Sequence, residues 1–227
     1  ASQGLGYAVA EALAREGARV AISAKDGSAT AAAERLAAAT GAEVHAFDAD
    51  VASLPSLEAA FEGAVAALGG LDVLVNNAGG PPPGGFADLD ETQWARGYDL
   101  TLMSVVRSIR LALPAFEAAG GGRVLTLLSS SVKTSLPNLL LSNVYRPGLQ
   151  GLIKALAIEY GPKNVQFVGL APGRIATERT RQLDEAAATK AGKTFEEVRA
   201  ASVATMPMGR FGEPEEFGRV AAFLCSP

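Results

Sequence analysis

Short apolar runs alternate with longer amphipathic ones along most of this chain. Residues 18–23 (ARVAIS), 42–49 (AEVHAFDA), 71–75 (LDVLV), 123–130 (RVLTLLSS) and 165–170 (VQFVGL) read as strands, four of them apolar almost throughout, as strands buried on both faces should be. Helical periodicity fills the intervals: Leu5 to Glu16 stopped by Gly17, Ser28 to Ala39 stopped by Gly41, Ser56 to Leu68 stopped by Gly69, then longer helices from about Glu91 to Leu113 and Asn138 to Tyr160. The Ala-rich stretch Ala29–Ala39 is most simply a helix with small packing residues. Repeated strand-helix-strand order predicts a parallel sheet covered on both faces through right-handed crossovers, an α/β doubly wound domain spanning residues 1–227. Within it, about 178–212, with the charged helix-like stretch Glu178–Ala204, should form a lid.

The two ends complicate this picture. The chain opens on a Gly-rich turn and its helix, SQGLGYAVAEAL, whereas a phosphate-cradling turn of this kind should follow a strand. A strand ahead of Ala1 would lie centrally, and its absence would expose two long edges. The natural chain is therefore expected to be longer at its N-terminus, and VAAFLCSP ends a helix with no closing strand after it. The expected fold is thus a Rossmann-type sheet without its first and last strands.

Composition narrows the function classes. With 227 residues and 48% hydrophobic content, one domain can bury a large core. A net charge of −4 without a dominant cluster of Lys and Arg argues against nucleic-acid or anionic-membrane partners. Cys225, the single cysteine, excludes an internal disulfide, suits a reducing compartment and reads as a buried helix thiol. His45, the single histidine, excludes a His-based triad and a multi-His metal site, so no metal is expected. No run approaches the length of a membrane span, and no signal peptide is recognisable, which points to a cytoplasmic protein.

The chemistry begins at the opening turn. Gly4 and Gly6 let backbone amides approach a pyrophosphate at the positive end of the following helix. The next strand ends at Ala24-Lys25, where an NAD-selecting enzyme places a carboxylate on the ribose 2′-hydroxyl. Lys25 could instead meet a 2′-phosphate. The choice leans towards NADP, with NAD kept open because Asp26 is close.

Asn76-Asn77-Ala78-Gly79 at the end of DVLVNNAGG brings in a wider likeness. From here the chain resembles the short-chain dehydrogenase/reductases over essentially its whole length, the 3-oxoacyl-acyl-carrier-protein reductases most of all. Ser2, Gly4, Leu5 and Gly6 match the end of that family's glycine-rich turn, Asp50-Val51 its adenine-contacting pair, and Asn77, Ala78 and Gly79 its strand-end motif. Pro172, Gly173, Ile175 and Thr177, in PGRIAT, match the segment that holds the carboxamide side of the nicotinamide. The resemblance implies an NAD(P) cofactor, a small carbonyl or alcohol substrate, and a dimer or tetramer formed through the two long helices.

The same resemblance implies a catalytic set of Asn, Ser, Tyr and Lys, and here the pattern breaks. In the family the tyrosine moves a proton and the lysine lowers its pKa. A free phenol titrates near 10, so working at neutral pH needs a shift of about three units, roughly 4 kcal/mol, of which a close cation supplies about one to three units. Aligning RPGLQGL with the family pattern puts Arg146 on the lysine position and Ser142 on the tyrosine position; Ser129 then falls at the usual serine spacing and Thr101 stands where the asparagine belongs. Ser142 is a far weaker acid than a phenol and Arg146 cannot accept a proton, though it can hold a ribose or phosphate. Two residues could replace the acid: Tyr145, one helical turn beyond Ser142, and Lys133, in the loop after Ser129. Ser130 or Ser131 could take the place of Ser129 if that loop shifts. Pro147 predicts a kink or a late helix start that could re-aim Tyr145, and GGPPPGG, residues 79–85, reads as an open loop beside the pocket.

Three functions remain open on the sequence. One is an NADPH-preferring oxidoreductase with an altered proton donor: general acid catalysis is worth about 10²–10⁴ in rate, whereas aligning reactants removes about 7–11 kcal/mol, so losing the phenol need not end hydride transfer. Another is an inactive nucleotide-binding scaffold or sensor. The third is an isomerase or lyase on the same fold, with Lys133 or Tyr145 as base.

Overall fold

A computed structural model describes residues 1–226. Five strands run parallel in two pieces. β1 (Val20–Ala24) pairs with β2 (Val44–Asp48), while β3 (Val73–Asn76), β4 (Gly122–Leu127) and β5 (Val165–Leu170) lie side by side in that order. β1 and β3 do not pair with each other. They face one another across a cavity of 590 Å³ walled by apolar residues such as Val20, Ile22, Val73 and Val75, with Lys25, Asp50, Asn77 and Gly79 at its polar rim.

Nine helices cover the strands among the described residues: α1 (Gly4–Arg15), α2 (Ser28–Thr40), α3 (Leu54–Leu68), α4 (Glu91–Tyr98), α5 (Ser104–Ala119), α6 (Leu140–Tyr160), α7 (Glu178–Ala191), α8 (Phe195–Ala204) and α9 (Pro214–Cys225). Their ends follow local chemistry. Gly41 and Gly69 close α2 and α3 in the left-handed conformation at φ 72°. α3 starts before Ser56 because the Ser53 hydroxyl caps it and Pro55 occupies its first turn.

Three expectations need correction. The single helix from Glu91 to Leu113 is divided by a π-helical turn over Asp99–Met103, held where the Ser104 hydroxyl donates to the Leu100 carbonyl at 2.6 Å and Arg107 reaches Asp99 at 2.8 Å; helicity then continues to Ala119. α6 shows no late start at Pro147, because Asn143 fixes its first turn to the preceding loop through both its side-chain oxygen and nitrogen, bonded to the backbone of Leu136 at 3.0 and 2.9 Å. The GGPPPGG segment is not open: Gly84 donates to the Asn138 carbonyl at 2.7 Å and accepts from Leu140 at 3.2 Å, pinning it to the root of α6.

The core sits on both faces of β4, whose alternate side chains point to opposite sides. Val124 packs with Ile109, Ala112 and Phe116 of α5, Leu149 and Ile153 of α6, and Phe167 of β5. Leu125 and Leu127 pack against Val9 of α1 and Phe217, Ala221 and Cys225 of α9. A smaller cluster joins Ile22 to Leu36 and the alanines of α1 and α2, as the Ala-rich pattern implies. Phe116, fully enclosed, anchors the larger half; truncating such a residue to alanine costs about 3–5 kcal/mol.

Candidate functional site

The carboxyl ends of all five strands point to one edge, and the residues with readable chemistry collect there. Gly4 opens α1 at φ 58°, in the left-handed region that favours glycine, with the Thr177 methyl 3.9 Å from where its Cβ would be. Gly6 is held bare by a neighbour: a Cβ there would meet the Asn77 side-chain nitrogen at 2.5 Å. The glycine turn, the strand-end asparagine and the PGRIAT segment, far apart in sequence, thus enclose one groove, and Gly79 opens into free space.

At one end of this groove Lys25 bonds Asp50 at 2.6 Å, and Arg96 adds positive potential nearby. The hydrogen bond from Lys25, then that from the Ala52 amide, hold the Asp50 carboxyl below its ordinary pKa. Two residues singled out separately on the sequence, one for a 2′-phosphate and one for adenine, are therefore partners in the free protein. Val51 lines the same cavity, with Arg96 and Leu100 opposite. Arg96 carried no sequence signal, since only the fold brings α4 over this rim.

At the other end, Arg146 turns inward. Its guanidinium donates to the Leu127 carbonyl at 2.7 Å, at the tip of β4, and burial without a carboxylate partner lowers its pKa. It remains a cation, as guanidinium groups do. Ser129, two residues beyond Leu127, is half-buried in extended backbone, and its hydroxyl accepts from the Ser131 amide at 3.2 Å. Ser130 is exposed, whereas Ser131 is buried.

The two hydroxyls nearest the family's tyrosine position are already engaged. Ser142 is 6% exposed and hydrogen-bonds the buried Ser131 hydroxyl at 3.1 Å. Tyr145 points towards α4: it donates to the Trp94 carbonyl at 3.0 Å and lies edge-on to the rings of Trp94 and Tyr98. Burial, with a smaller effect from Tyr98, raises its pKa, the opposite of what an acid at neutral pH needs. Tyr145 shares the helix with Arg146 but not its direction. Lys133 follows the short helical turn Ser130–Val132 and is exposed. Thr101 is buried within the π-helical turn and its hydroxyl has no partner, unusual for an enclosed polar atom.

The expected lid is α7 and α8. The Thr177 hydroxyl accepts from the Thr180 amide at 3.3 Å to cap α7. Asp184 of α7, 3% exposed, ion-pairs with Arg174 of the PGRIAT segment. Phe211, also buried, lies under both Arg174 and Arg199, whose guanidinium carbons are 5.2 and 4.2 Å from its ring centre. Helix α7 is thereby tied to the segment beside the glycine turn. Among the described residues no group of three or more His, Cys, Asp or Glu is placed to hold a metal, and no helix is long and apolar enough to cross a membrane.

The parallel α/β sheet gathers these groups at its carboxyl edge, where open sheets of this kind bind ligands. Residues 1–227 match the family model described as Enoyl-(Acyl carrier protein) reductase. The 3-oxoacyl-[acyl-carrier-protein] reductase of Aquifex aeolicus is 31% identical over 226 residues, covering 99% of this chain and 87% of that protein. Solved L-sorbose reductase from Gluconobacter frateurii, in complex with NADPH and L-sorbose, superposes with a TM-score of 0.92 at 29% identity, over 99% of this chain and 86% of that one. A solved 7α-hydroxysteroid dehydrogenase, complexed with NADH and 7-oxo glycochenodeoxycholic acid, gives 0.89 at 30% identity, over 100% and 84%. The chain belongs to the short-chain dehydrogenase/reductase family, as an enzyme of the 3-oxoacyl-acyl-carrier-protein reductase-like kind. Its residues fit an NAD(P) cofactor: the bare Gly6, the open Gly79 and the half-buried, inward-turned Arg146 leave the room and charge that a dinucleotide requires.

Proposed function

We propose that this protein is an NADPH-preferring oxidoreductase for a small carbonyl or alcohol, working without a phenol at its reacting centre. The observation that carries the reading is the inward Arg146 beside Ser129 on the β4 tip, while Ser142 and Tyr145 are both bonded elsewhere.

In the reductive direction the bound cofactor supplies hydride. Ser129 Oγ donates a hydrogen bond to the substrate carbonyl oxygen and so orients the carbonyl carbon. Arg146 provides a fixed positive charge at the same sheet edge, which favours negative charge developing on that oxygen; preorganised donors of this type contribute about 10²–10³ in rate. The Leu127 carbonyl holds the guanidinium in place. Lys133, exposed on the loop after Ser129, delivers the proton to the oxygen and is replenished from water. Asn77, Gly4, Gly6 and Thr177 shape the dinucleotide groove, and Lys25, released from Asp50, meets the 2′-phosphate.

Incubating the full chain with NADPH and a panel of ketones and aldehydes, followed by absorbance loss, tests this. Turnover that Ser129→Ala removes supports the reading; tight NADPH binding without turnover on any carbonyl points instead to a scaffold or sensor. A homo-oligomer formed through α6 is part of the proposal. Val144, Gly148, Gly151, Ala155 and Ile158 make an exposed stripe there, with Ile158 81% exposed, the shape of surface that a second copy of the same helix covers.

A further inference from the structure

Most arginines of the lid region are satisfied within the protein. Arg174 pairs with Asp184, Arg181 with Glu185 at 2.9 Å and Arg210 with Glu216 at 2.7 Å, while Arg199 stacks over Phe211. Arg179 differs. Among the described residues no carboxylate lies within ion-pair distance of it and no aromatic ring lies beneath it, and the residue is exposed. Its guanidinium reaches from the first turn of α7 across to the loop after β3, where a Cβ on Gly80 would sit 3.4 Å from Nη2 and 3.9 Å from Nε.

That position has a specific neighbourhood. The methyl of Thr177, two residues earlier, lies 3.9 Å from where a Cβ on Gly4 would be, at the start of α1, and Gly80 directly follows the open Gly79. Arg179 therefore bridges the two loops that bound the groove, close to the amide-rich end of α1. A planar cation with five donors and no internal acceptor, placed over a groove with a helix N-terminus on its far side, suits a bidentate phosphate oxyanion.

We infer that Arg179 is a cofactor-binding residue that closes over the diphosphate of the dinucleotide, securing it from the lid side. The inference rests on the NAD(P) reading of the groove. It makes cofactor binding and lid position one event: the diphosphate neutralises Arg179, and the Arg174–Asp184 pair carries the position of α7 to the PGRIAT segment. A substrate carboxylate is the other anion this guanidinium could take, and binding measurements separate the two.

The test is titration of the full chain and of Arg179→Gln with NADP⁺ and, separately, with adenosine 2′-monophosphate, which has the base and 2′-phosphate but no diphosphate. The expected result is a rise in the NADP⁺ dissociation constant of about tenfold or more in the variant, the scale of a lost charge-assisted pair, with adenosine 2′-monophosphate binding unchanged. Arg179→Lys should recover part of the loss, as a point charge without the fork. Equal NADP⁺ affinity in wild type and Arg179→Gln overturns the assignment, as does a change confined to the KM of an anionic carbonyl substrate. A wild type that binds neither ligand overturns the cofactor reading itself, and with it this one.

Discussion

The two ends of the groove are organised differently. On the nucleotide side, the glycine turn, Asn77 and Thr177 meet in space much as their order in the sequence implies. On the reacting side, in the proposed alignment, only Ser129 keeps its residue type; an arginine stands at the lysine position, a serine bonded to another serine at the tyrosine position, and a threonine with an unpartnered hydroxyl at the asparagine position. The contrast teaches that binding and proton transfer have separable requirements. Holding a dinucleotide needs shape, amides and positive charge, and in the proposed reading Arg146 supplies that charge. Moving a proton needs a group that gives and regains one, which neither a buried serine nor a guanidinium can do.

The sharpest way to break this contrast is Ser129→Ala. It should lower kcat by about 10²–10³ while the NADPH dissociation constant stays within about twofold; an equal loss in both would merge the two ends into one function. Arg146 should sit across the divide. Arg146→Ala is expected to reduce kcat/KM by about 10²–10³, with both cofactor affinity and turnover affected, and Arg146→Lys to keep much of the binding. Steady-state kinetics together with cofactor titration read the split.

The unequal legibility of the sequence has the same origin. NNAG and PGxxxT are local strings whose backbone geometry is set within a few residues, so they could be read directly. The Ser129 position followed from a spacing along one strand, loop and helix. By contrast, the Ser131–Ser142 bond, the Lys25–Asp50 pair and the reach of Arg179 to Gly80 join residues on different elements, and no periodicity encodes them. Tyr145 illustrates the limit. Its spacing from Ser142 allows it near the pocket, but the room left by Gly97, where a Cβ would come within 3.2 Å of the Tyr145 ring, draws that ring onto α4. Pro147, the strongest local breaker in α6, was overridden by the tertiary fastening of Asn143.

A smaller effect sharpens the nucleotide end. Lys25→Ala should weaken NADPH by about fivefold to tenfold, the scale of one exposed charge-assisted contact, and leave NADH nearly unchanged. Because Lys25 must leave Asp50 to reach a 2′-phosphate, Asp50→Asn should tighten NADPH slightly, by about twofold. Equal losses for the two cofactors in Lys25→Ala would remove Lys25 from cofactor selection.

The central claim is hydride transfer without a phenol, and the most direct measurement is the turnover of Tyr145→Phe beside Lys133→Ala on the best carbonyl of the panel at saturating NADPH. Tyr145→Phe should keep kcat within about twofold of wild type, since its hydroxyl serves only the Trp94 carbonyl, while Lys133→Ala loses about tenfold or more. A loss of about a hundredfold in Tyr145→Phe with Lys133→Ala unaffected would contradict the account and return the proton to the tyrosine.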